Sequence, residues 1–315
     1  MKSNQLTEIL GIKYPIIQGS MARIADARLA SSVSNAGGLG VITCIMNDAN
    51  SVRDEIRKCK KLTDKPFGVN IMLMHPLVED VAHICVDEKV PIIVTSAGNP
   101  MRFMKTWKDA GIKIISVIPN SKVAKKMEDM GADVIVAEGE ESGGHIGEIG
   151  TISLIPNVVD AVKLPVVAAG GISDGRGLAA ALMLGAQGVQ LGTRFLCAKE
   201  CNINENYKNK IISAKEYDTL VAGRRFGHAV RSLKSPFQIS QAHLERESDT
   251  TEDSYLKYSN GALKRALEGN ENEGSFMAGQ SAGLIKNILP VSDIIDNIMQ
   301  DAKCTILKNK LWIEE

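Results

Sequence analysis

The sequence predicts an α/β protein, a (β/α)8 TIM barrel with a small helical insertion after the eighth strand. Three observations lead to this fold. Short runs rich in Val and Ile recur eight times in the first two thirds of the chain. Each run is followed by a polar or glycine-containing loop and then by a segment with helical periodicity. Apolar strands that alternate with helices are typical of a parallel sheet buried on both faces, and eight such units in about 200 residues favour a closed barrel over an open sheet.

The predicted strands are short, and successive strands lie 20 to 32 residues apart. The longest interval follows the sixth strand and contains the run Ser-Gly-Gly-His-Ile-Gly at residues 142–147. Extra length in a strand-to-helix loop is typical of the catalytic rim of such a barrel. The strands are expected at residues 16–18, 39–43, 67–72, 92–96, 114–118, 134–137, 166–169 and 189–191.

The segments between the strands have the apolar spacing of helices. In residues 76–89, apolar side chains fall at positions 77, 78, 81, 84 and 85, which lie on one helical face. Glycine follows several of these segments, as it does at many helix C-termini: Gly111, Gly131 and Gly185.

We predict three parts along the chain. Residues 1–199 form the barrel, and residues 200–275, which are polar and only weakly periodic, form an inserted helical lid or substrate subdomain. Residues 276–315 return to the barrel and end in helices, with an apolar face at Val291, Ile294, Ile295, Ile298 and Met299.

Composition excludes several classes of protein. The 315 residues include 37 Lys and Arg and 37 Asp and Glu, so the chain lacks the excess positive charge of a general nucleic-acid binder. There is no apolar signal-peptide core at the N-terminus and no apolar run of bilayer length, so we expect no membrane association. The six cysteines form no Cys-x-x-Cys pair, which indicates a reducing, cytoplasmic setting without disulfides or a metal site.

Glycine-rich turns after the seventh and eighth strands predict a phosphate site. The first turn contains Gly170 and Gly171, and the second contains Gly192 and Thr193. Loops after strands seven and eight commonly bind phosphate in these barrels, because glycine lets backbone N–H groups approach an anion closely. The alternative is that the glycines only turn the chain and that Ser173 or Asp174 only caps a helix.

His145 is the strongest candidate for catalysis. Glycines surround it, so we expect it on a loop, where an imidazole can donate or accept a proton near neutral pH. A solvated loop histidine without a role is the alternative. Glu138, at the end of the sixth strand, could orient His145 or contact a ligand through its backbone, and the role of His228 stays open.

Further candidates for ligand contact lie in three places. Small residues follow the first strand, which suits backbone contact with a flat ligand or, alternatively, a plain tight turn. A polar side chain interrupts the apolar third strand and must find hydrogen-bond partners in the protein or on a ligand. Small residues and an amide follow the insertion, where a helix N-terminus is the alternative. These candidates are Gly19, Met21 and Ala22, then Asn70, then Met277, Gly279 and Gln280.

These motifs resemble the FMN-dependent barrel family that contains nitronate monooxygenases and enoyl-[acyl-carrier-protein] reductase II, the FabK type. The shared signatures are residues 15–22, 35–40, 139–147, 169–172 and 192–195. Residues 65–73, 226–231 and 274–280 resemble the reductase branch more closely. Ser20 departs from the family pattern, in which glycine is expected.

The resemblance implies a cofactor and a reaction. The phosphate of FMN would be held by Gly171, Gly192 and Thr193, and its ring would be approached by the candidates at residues 21, 22, 70, 277, 279 and 280. NAD(P)H would be the co-substrate in the reduction of a trans-2-enoyl group on acyl carrier protein, the last step of a fatty-acid elongation cycle. His145 would donate a hydrogen bond to the thioester oxygen, and the protein would be a homodimer.

The resemblance leaves alternatives open. A nitronate monooxygenase would use FMN and oxygen to oxidise alkyl nitronates without nicotinamide. A purine-nucleotide dehydrogenase would need a nucleophilic cysteine on the loop after the sixth strand, and this loop has none. A flavin-binding sensor without turnover would have no need of His145.

Overall fold

A computed structural model describes residues 3–46 and 48–309 and confirms the (β/α)8 barrel. Eight parallel strands form one sheet, and each agrees with its predicted bounds to within one residue. The seventh strand in chain order, β7 (Gly144–His145), lies outside this sheet. The barrel strands are β1 (Ile16–Gln18), β2 (Gly40–Thr43), β3 (Phe67–Met72), β4 (Ile92–Ser96), β5 (Lys113–Ile118), β6 (Val134–Glu138), β8 (Val166–Ala169) and β9 (Gly188–Leu191).

The sheet closes between its two end strands, β1 and β2. Leu39, just before β2, pairs with Ile17 of β1, and its N–H donates to the carbonyl of Ile16 at 2.9 Å. Further along, the buried side chain of Gln18 accepts a hydrogen bond from the Val41 N–H at 3.0 Å and donates one to the Val41 carbonyl at 3.1 Å. A side-chain amide therefore replaces one step of backbone pairing in the seam of the barrel.

Helices cover the outside of the barrel, as the apolar spacing predicts. Gly175 lies against the last helix so closely that a Cβ there would be 2.2 Å from the Ala302 nitrogen. No helix in the two described ranges is both long and apolar enough to cross a membrane. The helices outside the insertion are α1 (Gln5–Leu10), α2 (Ala27–Asn35), α3 (Ala49–Leu62), α4 (Val78–Asp87), α5 (Met101–Asp109), α6 (Ser121–Asp129), α7 (Thr151–Ala161), α8 (Gly175–Met183), α9 (Thr193–Leu196) and α14 (Val291–Lys308).

The insertion is not purely helical, which corrects the prediction for residues 200–275. Its helices are α10 (Glu205–Ser213), α11 (Pro236–Leu244), α12 (Glu252–Ser259) and α13 (Ala262–Leu267). Between α10 and α11, the strands β10 (Thr219–Ala222) and β11 (Val230–Leu233) form an antiparallel hairpin that also pairs with β7. Each strand has only four residues and mixes polar with apolar side chains, so the sequence shows little alternation.

The seam between β1 and β2 generates a stability prediction. Gln18→Met keeps the volume of the side chain but leaves the buried N–H and carbonyl of Val41 without this partner. We expect the free energy of unfolding to fall by about 2–3 kcal/mol, measured by urea denaturation, because unpaired buried polar groups retain their desolvation cost. Gln300→Met on the exposed face of α14 is the control, and an equal effect of both substitutions would contradict the role of Gln18.

Candidate active site

The predicted site residues gather at one end of the barrel. Gly19, Glu138, Gly170 and Gly192 each lie at or just beyond the carboxyl end of a barrel strand, and Asn70 lies near the end of β3. In a parallel barrel all these ends share one rim, which is where the active sites of such barrels lie. The structure therefore places residues from distant parts of the sequence around one opening.

The turn after β8 requires glycine at two successive positions. Gly170 has φ +96° and Gly171 has φ +74°, a region that side chains other than glycine rarely adopt. A Cβ on Gly170 would lie 2.8 Å from the Gly139 carbonyl oxygen, and one on Gly171 would lie 3.2 Å from the Glu141 Cβ. The glycines thus let this turn pack directly against the loop that follows β6.

This turn also carries hydrogen-bond donors without protein partners. In the described residues, the N–H groups of Gly171, Ile172 and Ser173 donate no hydrogen bond to the protein, and the buried Ser173 hydroxyl has no partner. Buried polar groups are nearly always paired, so an unpaired group of this kind is typical of a ligand site. Asp174 does cap α8, accepting from Arg176 and Gly177, but Ser173 does not.

The turn after β9 faces open space. A Cβ added to Gly192 would have no heavy atom within 4 Å. The next residue, Thr193, accepts a hydrogen bond from the Gly279 N–H at 2.9 Å through its hydroxyl. The Gln280 N–H donates to the Glu141 carbonyl at 2.9 Å, so the chain that returns from the insertion joins the turn after β9 to the loop after β6. This cluster of neutral donors beside open space suits a phosphate group.

His145 lies on β7 rather than on the irregular loop expected from its glycine neighbours. It pairs with Val230 of β11, and the next N–H, that of Ile146, donates to the Ala229 carbonyl at 3.1 Å. Its exposed imidazole makes no hydrogen bond to another described residue. The surrounding protein lowers the pKa of His145 by desolvation, and the nearby His228 lowers it further, so the neutral imidazole predominates at neutral pH.

Glu138 is partly buried at the end of β6. Desolvation raises the pKa of its carboxyl to about 7, and the neighbouring Ser142 hydroxyl opposes that rise without forming a well-aligned hydrogen bond. Glu138 and His145 form no direct hydrogen bond in the structure, so the orienting role considered from the sequence stays a prediction. His228 instead bonds to Glu252, with 3.2 Å between Nε2 and Oε1.

Met277 lies beside the strand that carries His145. It forms an isolated bridge with Ser232 of β11, and its Sδ would be 3.6 Å from a Cβ on Gly144. The Tyr207 hydroxyl donates to the Met277 carbonyl at 2.7 Å and fixes this segment from the insertion. The structure thus brings Met277 and His145, which are far apart in sequence, to neighbouring positions.

Residues of the first and third strands lie elsewhere on the rim. The Gly19 N–H donates to the Leu191 carbonyl at 2.8 Å, and the Met21 carbonyl accepts from Ile24 and Ala25 at 3.0 Å, so residues 19–25, including Ala22, form a tight turn. The Asn70 amide nitrogen, which is buried, makes only long bonds of 3.3 Å to the Val94 carbonyl and to the Ser96 hydroxyl. The Asn70 amide oxygen accepts one further long bond, of 3.4 Å, from the Ser96 hydroxyl, so its second acceptor position is not used by the described residues.

Two residues that the sequence did not predict, Glu141 and Arg231, hold the loop after β6. The Glu141 carboxylate accepts from the N–H and the hydroxyl of Thr151 at 2.8 and 2.7 Å and so caps α7. Arg231 of β11 donates through Nε to the Glu140 carbonyl at 3.1 Å. The only sign of Arg231 in the sequence is a charged residue within a strand-like run. Its hydrogen-bond partner, the Glu140 carbonyl, lies far away in the chain and cannot be predicted from the sequence.

A cavity of about 370 Å³ lies between the exits of β1 and β2. Its lining includes Arg23, Asp26, Thr43 and Glu55, and none of the predicted site residues. Its acidic and basic side chains are mixed, with Lys58 already paired to Glu55. This cavity does not mark the site that the strand ends define.

Comparisons with known proteins agree with one another over nearly the whole chain. A family model described as nitronate monooxygenase matches residues 3–86 and 78–301. The structure of FabK from Thermotoga maritima superposes with a TM-score of 0.96 at 43% identity, covering 99% of this chain and 100% of that one. A Rhodococcus jostii protein described as (3aS,4S,5R,7aS)-5-hydroxy-7a-methyl-1-oxo-octahydro-1H-indene-4-carboxyl-CoA dehydrogenase is 34% identical over 94% of this chain and 95% of its own length. A Staphylococcus aureus protein described as a probable nitronate monooxygenase is 34% identical over 94% of this chain and 96% of its own length.

The raised pKa of Glu138 generates a prediction about stability and pH. In the folded protein this pKa is about 7, above the ordinary value of 4.5. Between pH 4.5 and pH 7 the folded protein therefore keeps a proton that the unfolded chain has released. Stability contributed by this proton is present below pH 4.5 and is lost as the pH rises through 7. Between about pH 4.5 and pH 8, we expect the free energy of unfolding of the wild type to fall by about 1–3 kcal/mol relative to that of Glu138→Gln. The measurement is urea denaturation at each pH. The exposed Glu148→Gln is the control, and parallel pH profiles for wild type and Glu138→Gln would contradict the shift.

Proposed function

The chain belongs to the nitronate monooxygenase family of flavin-dependent oxidoreductases, and we propose that it reduces trans-2-enoyl thioesters on acyl carrier protein with NAD(P)H. The observation that carries this proposal is the full-length similarity to the Thermotoga FabK, because it extends through the insertion and the segment that returns from it. A match to the barrel alone would support the family without favouring one reaction.

The residues at the rim fit FMN. The unpaired N–H groups of Gly171, Ile172 and Ser173, the buried Ser173 hydroxyl and the open space above Gly192 suit its phosphate. Thr193 would hold the same group, and Asn70, with its incompletely used amide, would face the ring. The proposed ring contacts also include Gly19, Met21, Ala22, Glu138, Met277, Gly279 and Gln280. When bound, FMN supplies hydride transfer from NAD(P)H to the β-carbon of the enoyl group.

His145 supplies the polar group that this reduction needs from the protein. Negative charge develops on the thioester oxygen as the β-carbon is reduced, and a hydrogen-bond donor at that oxygen lowers the barrier. The imidazole is exposed at the rim, has no bond to another described side chain and is held neutral by its lowered pKa. A neutral imidazole with one free N–H can make this contact without being displaced from a protein partner.

A thioester substrate has support from a second relative. The Rhodococcus protein is described as a dehydrogenase of a carboxyl-CoA, which is also a thioester. We therefore place an acyl thioester at the barrel opening and propose acyl carrier protein as its carrier.

Nitronate oxidation is the second candidate function. The family model and the Staphylococcus relative carry that description, and the rim geometry serves either reaction. In this reaction a nitronate would be consumed with oxygen, and nicotinamide would have no part.

A paired assay separates the two reactions. FMN-loaded protein is given NADH or NADPH with a crotonyl thioester in one tube, and an alkyl nitronate with oxygen in the other. We expect loss of NAD(P)H absorbance that depends on the thioester, and little oxygen uptake. Activity in the nitronate tube alone would overturn the proposed reduction.

His145→Ala is the matched variant for this assay. We expect FMN to stay bound and enoyl reduction to fall by about 100-fold or more, the scale of a lost general acid or oxyanion donor. The exposed His83→Ala on α4 is the control. Wild-type turnover in His145→Ala would remove His145 from the proposed mechanism.

Ser173 provides a test of the phosphate site that does not need turnover. Ser173→Ala removes the unpaired hydroxyl, and we expect FMN to bind about tenfold more weakly, because hydrogen bonds to charged groups contribute about 1.5–3 kcal/mol. The measurement is the quenching of flavin fluorescence on titration, with the exposed Ser153→Ala as control. Unchanged affinity in Ser173→Ala would place the phosphate elsewhere.

A further inference from the structure

One edge of β11 aligns two parts of the candidate site. Along this edge, Val230 pairs with His145 and Arg231 with Gly144, and Ser232 then bridges to Met277. The Leu233 N–H continues the series by donating to the Phe276 carbonyl at 2.8 Å. The insertion therefore serves as a template on which β7 and the returning segment lie end to end.

The loop that carries His145 needs such a template. It contains five glycines, and a glycine-rich segment loses more conformational entropy on ordering than other sequences do. Gly143 packs so tightly that a Cβ would lie 2.6 Å from the Ala278 carbonyl carbon, which fixes one point of the loop. The position of His145 beyond that point depends on the contacts that its own strand makes. The loop glycines are Gly139, Gly143, Gly144, Gly147 and Gly150.

Arg231 makes the side-chain contact between this loop and the hairpin. Its side chain is only 6% exposed, and it donates from Nε to the Glu140 carbonyl and from Nη1 to the Thr219 hydroxyl, both at 3.1 Å. In the described part of the chain, no carboxylate lies within 4.0 Å of this guanidinium. A buried charge is costly unless it is hydrogen-bonded, and the two bonds of this guanidinium join the backbone of the loop after β6 to the Thr219 side chain of β10.

The neighbouring Arg224 does not supply the same constraint. It forms an ion pair with the Glu140 carboxylate at 3.1 Å, and both side chains are about two-fifths exposed, at 42% and 38%. An exposed pair of this kind contributes little to holding a loop. The Glu140 backbone is therefore held from the hairpin side by the buried guanidinium of Arg231.

We propose that Arg231 is a positioning residue for His145: it ties the Glu140 carbonyl to β11 and so fixes the register in which β7 presents the imidazole. The proposal rests on the proposed function, because it assigns His145 the role of hydrogen-bond donor to the thioester. Arg231 itself need not touch substrate or flavin. A misplacement of about 1 Å in a catalytic group costs about 100-fold in rate, which sets the scale of the expected effect.

The kinetic test is a double-mutant cycle on the FMN-loaded enzyme with NAD(P)H and a crotonyl thioester. For Arg231→Met we expect kcat to fall about 30- to 100-fold with little change in KM for the thioester. Arg231→Lys keeps the charge and N–H donors but lacks the planar guanidinium that reaches both acceptors, and it should recover about tenfold of that loss. In the His145→Ala background, Arg231→Met should cost less than about threefold more, because its effect acts through the imidazole.

A second measurement follows the loop without using the reaction. Hydrogen exchange of the amides at residues 144–146 should become about tenfold faster in Arg231→Met, while exchange in β8 stays unchanged. Arg225→Met is the matched control, because the guanidinium of this exposed arginine donates to the carbonyls of Glu245 and Glu247 within the insertion and makes no hydrogen bond to the loop after β6 in the described residues. We expect wild-type kinetics and wild-type exchange in that variant.

The outcomes are distinguishable. If the wild type lacks enoyl reductase activity but exchange rises only at residues 144–146 in Arg231→Met, the proposed function fails while Arg231 still orders the loop. Full additivity of Arg231→Met with His145→Ala would overturn the positioning role. Faster exchange throughout the barrel would also overturn it, because it would show that Arg231 supports the whole fold.

Discussion

The candidate site depends on the closure of the barrel between β1 and β2. Open parallel sheets spread their strand ends along a line, whereas closure brings the ends of β1, β3, β6, β8 and β9 around one opening. The seam is short, and the buried amide of Gln18 completes it by bonding to both polar groups of Val41. The cost of leaving such groups unpaired makes this position intolerant of an apolar side chain. Because the glycine turns and Gly19 follow directly from these strands, their relative positions depend on this seam.

A second constraint comes from close packing among loops. Gly143 lies against Ala278, Gly279 against the Glu141 carbonyl and Gly170 against the Gly139 carbonyl, in each case too closely for a Cβ. These contacts join the loop after β6, the turn after β8 and the segment that returns from the insertion into one body. The hairpin of the insertion adds backbone pairing to both His145 and Met277. The insertion is therefore part of the framework of the site as well as a cover for it.

Desolvation shifts two titratable groups at the opening toward their neutral forms. It raises the pKa of Glu138 to about 7 and lowers that of His145. The donors proposed for the phosphate are likewise neutral N–H and hydroxyl groups. In such a site, the main charges belong to the ligands and to the groups that become charged during the reaction. A fixed neutral donor stabilises this developing charge more than it stabilises the ground state.

The sequence by itself determined the barrel, because apolar runs and helical spacing are local patterns that burial imposes on each strand and helix. It also identified the glycine turns at Gly170, Gly171 and Gly192, since a positive φ or a close approach restricts the residue type at a single position. Only the tertiary structure decided that β7 pairs with β11 and that Arg231 contacts the Glu140 carbonyl. These contacts join residues far apart in the chain through backbone groups that every residue possesses, so no local pattern of side chains records them.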